Sequence, residues 1–273
     1  MVSWVAAVGE VALLSSSFVA SLAKGLDVLQ VFNRERPELT LSEVAEIVHI
    51  TPAASRRALL TLQELGFVTN HNGKYLLTPR VLRLSEAFLS SVSMQEVMQQ
   101  YLQSASIATG DSSSVAVLDD CEIIYVASVP AKRSFLVTPT LGTRYPAYAT
   151  SLGRAILAFS SVDTIERVLS RPMEKLTKRT ITDPVEFRAL LEKVRNDGYA
   201  ISDEHQIDGV ISVALPIFDA DSKVVASVNL STSPSHANLV TLTTDHLDSL
   251  REAQAQISAA LIRHPVLLHS IQP

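Results

Sequence analysis

At 273 residues, with 47% hydrophobic and 19% charged side chains, the chain has the make-up of a folded protein large enough for two cores. A formal net charge of −5 argues against a polyanion binder that relies on overall charge. The single cysteine, Cys121, excludes an intramolecular disulfide and fits a reducing, cytoplasmic setting, and the seven histidines show no metal-ligand spacing.

The first stretch, residues 1–17, is apolar, but Glu10 interrupts it and the first lysine is Lys24. It lacks the basic start of a signal peptide and is too short and broken to span a membrane. It reads as a disordered extension or a misplaced start. Residues 21–33 put Leu22, Leu26, Leu29 and Phe32 on one helical stripe.

At Thr40 and Glu43 the S/T-x-x-E pattern of a capping box opens a second helix, with Leu41, Val44, Ala45 and Val48 on its buried face. After a break at His49 and Ile50, Thr51 and Pro52 start a third, as N-cap and first helical residue. Ala58, Leu59, Leu62 and Leu65 share its inner face, and Gly66 stops it. The other face carries Ala53, Arg56, Arg57 and Leu60. Small residues followed by arginines suit a helix lying in a major groove, where arginine forks onto guanine or phosphate. Two arginines alone would equally describe a solvated helix surface. What favours DNA is the hairpin that follows, residues 67–77 turning at Asn72-Gly73, which completes a winged helix-turn-helix. Residues 20–93 carry eight basic and seven acidic side chains, a balance of +1 that leaves −6 for the rest. One copy would hold DNA weakly, so a homodimer on a palindromic site is expected.

Thr78-Pro79 breaks the chain, and residues 80–91 form a connecting helix with Val81, Leu84 and Phe88 aligned. The expected domains are 18–79 for DNA binding, 80–93 as linker helix and 94–273 as a second, α+β domain. In the latter, a helix at 95–109 precedes a hairpin of 114–118 and 122–128, with Cys121 taken as a buried strand thiol. A strand at 134–140, helices at 149–159, 163–169 and 184–196, strands at 199–203, 210–218 and 224–230, and a final helix at 241–263 complete the reading. None of GxSxG, GxGxxG, the P-loop or HExxH occurs. No catalytic residue, metal site or cofactor is expected. The segment 139–154, PTLGTRYPAYATSLGR, puts Gly142 and two prolines ahead of a helix start at Thr150 and Ser151, where free amides could hold a carboxylate. A tight turn before an ordinary capped helix would read the same.

Four stretches resemble a known family: SLAKGLDVLQVF at 21–32, AASRRALLTLQELGFV at 53–68, LTPRVLRLSEAFLSS at 77–91 and LGTRYPAYATSLGRAILA at 141–158. Over nearly its whole length the chain is similar to IclR-type transcriptional regulators. Within them it is most similar to the PcaR/PcaU/PobR group, which controls aromatic-acid catabolism through the β-ketoadipate pathway. The resemblance implies a winged helix-turn-helix, a linker helix and a C-terminal effector-binding domain of GAF-like, profilin-like fold. It also implies double-stranded operator DNA as partner, dimers that pair as tetramers, and a small organic acid as effector. By position, DNA would be met by Thr40, Ser42, Thr51, Ala53, Ala54, Arg56, Arg57 and Lys74. The effector would be met by Leu141, Gly142, Ala149, Thr150, Ser151, Asp203, Ser212, Asn229 and Ser231. This chain departs from the pattern at Pro52, where relatives are basic, at Ala149, where a cysteine is common, and at Ile211, where an arginine is frequent. His205, Gln206 and Ile207 replace a segment that is usually acidic. The competing readings are a related protein answering to a different organic acid, one with a vestigial pocket, and an enzyme or ligand carrier on the same domain.

Overall fold

The computed structural model describes residues 17–91, 94–131 and 139–271, with side chains of 89–95 left aside. The stretch read as an N-terminal extension lies outside it up to residue 16, as does most of the expected strand at 134–140, whose last residues, Pro139 and Thr140, are loop. The chain divides into two compact units, one running to Phe88 and the other from Leu89.

The first unit packs three helices on a small sheet. Helix α1 (Ala20–Gln30) uses only the later half of the stripe expected of it: Leu22 and Leu26 are exposed, while Leu29 packs half-buried on the core and Phe32 is buried together with Val28 and Val31. The inner face is set by the β-branched pair and Phe32, which fill the core left by the other two helices. Strand β1 (Glu38–Thr40), not foreseen in the sequence, leads into α2 (Leu41–Ile47) through the capping box: Glu43 N donates to Thr40 Oγ1 at 3.3 Å and Thr40 N to Glu43 Oε2 at 2.7 Å. His49 takes a left-handed φ of 55° in the turn to α3 (Pro52–Glu64). Ser55, fully buried on α3, donates to the Leu41 carbonyl at 3.1 Å and ties the two helices together. Leu59 and Leu62 face the core, but Leu65 is half exposed because the helix ends at that point.

The wing is β2 (Val68–His71) and β3 (Lys74–Leu77), paired His71 to Lys74 around Asn72 and Gly73, both at positive φ. Those two left-handed residues are the requirement of a tight hairpin turn, which Asn-Gly meets with least strain. β3 lies between β1 and β2. A 3-10 turn (Pro79–Val81) then leads to α4 (Leu82–Ser91), on which Leu82 and Leu84 are exposed.

The second unit is built on a six-stranded antiparallel sheet. After α5 (Met94–Thr109) come β4 (Ser112–Asp119) and β5 (Glu122–Val129). Cys121 sits in the turn between these strands, not in a strand. β6 (Arg144–Pro146), missed by the sequence reading, runs into a 3-10 turn (Ala147–Ala149) and then α6 (Ser151–Leu157). α7 (Val162–Leu169) and α8 (Pro184–Asp197) follow, then β7 (Ala200–Asp203), β8 (Ile211–Phe218) and β9 (Val224–Thr232). The strand order is β6-β5-β4-β9-β8-β7. The expected final helix is broken at Thr244 into α9 (Leu239–Thr243) and α10 (Asp245–Arg263), and α11 (Pro265–Ile271) was not anticipated. At Thr244 the backbone leaves the helical region, with φ −114° and ψ −99°.

Alternation along the strands gives the sheet two unlike faces. Val115, Val117, Val213, Leu215, Val228 and Leu230 point to one side and pack against α5 and α10 around Met98, Leu102, Leu250 and Ile257. On the other side Ala116, Ala214 and Ala200 make room for α6, all seven of whose residues are buried. α6 comes so close to the turn before it that a Cβ on Gly153 would lie 2.1 Å from the Ala147 carbonyl oxygen; only glycine fits.

Candidate functional site

In the first unit α3 presents Arg56 and Arg57 to solvent, and among the described residues neither guanidinium is hydrogen-bonded or ion-paired. Ala53 and Thr51 are exposed at the start of that helix, Ala54 is half-buried, and Ser42 is exposed on α2. Two of the other expected DNA contacts are already engaged. Thr40 spends its hydroxyl in the capping box, bonded to Glu43, whose carboxyl is held below its usual range mainly by the Thr40 amide. Lys74, on the wing, is ion-paired with Glu38. Pro52 supplies the fixed φ that starts α3 but no charge, so the two arginines carry the positive potential of this helix.

In the second unit a cavity opens where the sheet's alanines give way to serines. Four serines stand directly opposite one another across four strands: Ser112 on β4, Ser231 on β9, Ser212 on β8 and Ser202 on β7. Asn229 lies one step further in, opposite Ser114 and Ala214. The start of α6 supplies Thr150 and Ser151, and β5 and β6 supply Tyr125 and Tyr145. Pro139 closes one edge, and Gln206, Ile207 and Val210 form the outer wall. Part of the space is continuous with solvent. No ionised side chain lines it among the described residues.

Its hydrogen bonding is specific. The Ser151 and Ser212 hydroxyls are 2.7 Å apart. Thr150 Oγ1 accepts the Gly153 amide at 2.9 Å and Ser112 Oγ accepts the Ala131 amide at 3.0 Å. Asn229 Nδ2 donates to Ser231 Oγ at 2.9 Å, whereas Asn229 Oδ1, buried, has no partner. The two tyrosine rings meet edge-to-face at 5.9 Å. Burial pushes the Tyr125 phenol well above its usual range, so it stays protonated and a donor.

Thr150, Ser151, Ser212, Asn229 and Ser231 are therefore brought together in one cavity. Leu141, Gly142, Ala149 and Asp203 are not. Gly142 uses a left-handed turn (φ 79°) to return its amide to the Tyr125 carbonyl, and Leu141 sits beside it on that turn. Ala149 is fully buried with its carbonyl taken by the Ser202 hydroxyl at 3.2 Å. Asp203 points away to an ion pair with Arg179. α6 is seven residues long and its N-cap is used internally, so hydroxyls rather than helix amides are the groups the cavity offers. Ser112, Ser202 and the two tyrosines went unread in sequence, although SSSV at 112–115 and the serine-alanine alternation of 211–214 held the signal.

The outer wall is anchored from behind. Arg154 is wholly buried; its Nε donates to the Tyr148 carbonyl at 2.8 Å and its Nη1 to the Ile201 carbonyl at 3.0 Å and to His205 Nδ1 at 2.9 Å. Burial lowers its pKa to about 10, which leaves it charged. His205 is lowered to about 4 by burial and then by the Arg154 and Arg179 charges. Its Nδ1 also accepts the Asp203 amide at 3.0 Å, so the ring is the neutral tautomer protonated on Nε2. Thr177 and Thr180 hold the Glu204 and His205 carbonyls, each at 2.7 Å, and Glu204 Oε2 accepts the Gly209 amide at 2.7 Å.

Residues 21–71 match the IclR helix-turn-helix domain, and residues 86–259 match the C-terminal domain of the bacterial IclR transcriptional regulators. This chain belongs to the IclR family. It is 36% identical over 217 residues to the Pca regulon regulatory protein of Pseudomonas putida, covering 79% of this chain and 75% of that one. It is 35% identical over 221 residues to the p-hydroxybenzoate hydroxylase transcriptional activator of Acinetobacter baylyi, with 79% and 82% covered. Both relatives lie in the Pca/PobR group to which the sequence motifs pointed. In fold it resembles an IclR homolog of Microbacterium hydrocarbonoxydans complexed with 4-hydroxybenzoate, at TM-score 0.71 and 22% identity over 89% of this chain and 99% of that one. The protein is thus a DNA-binding transcriptional regulator of the IclR type. Among the described residues no helix is long and apolar enough to cross a membrane, and no group of three His, Cys, Asp or Glu could hold a metal ion.

Proposed function

We propose that this regulator responds to a small organic acid, an aromatic one in first place, bound in the cavity of the second unit, and thereby controls genes of aromatic-acid catabolism. The observation that carries the reading is a hydroxyl-lined cavity, with no ionised side chain among its described residues, in the same chain as a helix bearing two unpaired arginines. The names of the Pseudomonas and Acinetobacter relatives support the choice of aromatic acids. DNA would be met by Arg56 and Arg57, with Ser42, Thr51, Ala53 and Ala54 placed for close approach. The thin +1 balance of residues 20–93 calls for two copies on a palindromic operator, and the aligned stripe of Val81, Leu84 and Phe88, with Leu84 and Phe88 exposed on α4, offers an apolar strip for the second copy.

A gel-shift titration on the DNA upstream of the gene, with and without acids, tests both halves. The Arg56→Ala/Arg57→Ala double variant should lose at least tenfold in operator affinity at unchanged Tm, since a base-directed arginine is worth ~1–3 kcal/mol. Unchanged affinity would remove these residues from the interface. A ligand at a hundred times its Kd should stabilise the fold by about 2.7 kcal/mol, read as a rise in Tm. If no acid raised Tm or altered the gel shift, the pocket would be vestigial. One observation favours an effector different from that of the relatives: no arginine stands at Ile211, and among the described residues no cation lines the cavity.

A further inference from the structure

The helix that presents Arg56 and Arg57 is held differently at its two ends. Near its start the buried Ser55 donates to the Leu41 carbonyl at 3.1 Å, and Leu59 and Leu62 seat the middle of α3 in the core. The far end has no such seat, because Leu65 is half exposed. There the helix stops in a tight turn, with Gly66 at φ 77°, its amide on the Gln63 carbonyl at 2.9 Å and the Phe67 amide on the Leu62 carbonyl at 2.8 Å. What holds this turn comes from the segment that leads into α4. Thr78 Oγ1 donates to the Gly66 carbonyl at 2.5 Å and accepts the Arg80 amide at 3.2 Å. The Thr78 amide donates to the Phe67 carbonyl at 2.9 Å. The Arg80 guanidinium lies 6.0 Å over the Phe67 ring, and a Cβ on Gly66 would stand 2.8 Å from its Nη1. The last turn of α3 has no basic residue of its own, so Arg80 supplies the cation that both the ring and the carbonyl end of a helix favour.

We infer that Arg80, together with Thr78, is a positioning residue for DNA recognition: the pair fixes the end of α3 to the connecting segment and so sets the angle at which Arg56 and Arg57 are presented. The inference rests on the reading that α3 meets DNA, and adds residues that do not themselves touch it. α3 is 13 residues long, about 20 Å, and Gly66 lies at the end opposite to Thr51 and Ala53. A guanidinium at that end is out of reach of base edges met by the helix's first turns. Without the second attachment the helix is free to swing about Ser55. Forked contacts to bases, which need fixed geometry, then suffer before the less directional attraction to phosphates does.

The test is a gel-shift titration of the full-length protein, at one salt concentration, on the DNA upstream of the gene and on a scrambled duplex of equal length and composition. Arg80→Ala and Thr78→Val should each lower affinity for the upstream DNA about fivefold or more, and leave affinity for the scrambled duplex within about twofold. Arg80→Lys, which keeps a cation over Phe67, should recover most of that loss. In the Arg56→Ala/Arg57→Ala background, Arg80→Ala should add little, since it acts through those two side chains. Circular dichroism and Tm check that each variant folds, and a variant that does not fold leaves the other to carry the test. Equal weakening on both duplexes, or a full effect of Arg80→Ala in the double-variant background, makes Arg80 a phosphate contact and overturns the positioning role. Unchanged affinity for the upstream DNA overturns any role for Arg80 and leaves the reading of α3 standing. A wild-type protein that binds the two duplexes alike overturns the reading of α3 itself and this inference with it.

Discussion

The two faces of the six-stranded sheet are made by the same strands and do opposite work. On one, Val, Leu and Ile from four strands pack against α5 and α10 in a buried apolar layer. On the other, alanines admit α6 and, one step along the same strands, serines and an asparagine admit nothing bulky, so a cavity remains. A cavity thus arises here by withholding volume from half of one face, while the opposite face supplies the apolar burial that holds the strands in place.

Substitutions on the two faces should separate stability from recognition. The largest effect is expected from Leu230→Ala, which empties a fully buried position between the sheet and the helices. Urea unfolding should show a loss of ~2–5 kcal/mol, while any ligand-induced rise in Tm persists in the folded fraction. A loss under 1 kcal/mol would mean that this face is not what holds the sheet.

An intermediate effect should come from pH, through the wall behind the cavity. His205 binds its proton at about 4 in the folded protein, against an ordinary value of 6.5. Between those values the unfolded chain binds more protons, so this stabilisation is complete above pH 6.5 and is lost as pH falls towards 4. Arg154 and Arg179 face the ring and oppose its protonation. His205→Gln should flatten stability against pH in that window, measured as Tm from pH 7 to 4; an unchanged slope would show that other groups carry it.

The smallest stability effect belongs to the cavity face. Ser212→Ala removes one of two mutually bonded hydroxyls and should cost no more than about 1 kcal/mol in urea unfolding. Ligand affinity, measured by titration, should fall several-fold in the same variant. If stability fell as far as in Leu230→Ala, the serine row would be a structural layer and the contrast between the faces would fail.

Much of the DNA-binding unit was legible because its signals are local. A capping box, a proline at the first helical position and Asn-Gly between apolar runs each act within a few residues, and each reappears at the position read. Where the reading slipped, a longer-range choice intervened. The stripe of Leu22, Leu26, Leu29 and Phe32 obeys helical spacing, yet the core took Phe32 and part of Leu29 with Val28 and Val31 and left Leu22 and Leu26 exposed, because only the partner helices decide how far a stripe is covered. Lys74 looked available for DNA until Glu38, 36 positions away, paired with it.

The cavity shows the same limit more sharply. Alternation in 211–214 and in 227–231 determined which residues share a face, because the period of a strand is two. It could not say that Ser112, Ser231, Ser212 and Ser202 would stand in one row, since the register of β4 on β9, more than a hundred positions away, is set only when the sheet closes. Nor could it free one amide oxygen of Asn229 while engaging the other end, or turn Asp203 outward to Arg179. By itself the sequence determined most of the helices and strands, the winged helix-turn-helix and the family, though not β1, β6 or α11. The site itself was decided by the tertiary structure, because a hydrogen bond left unmade is a property of everything packed around it.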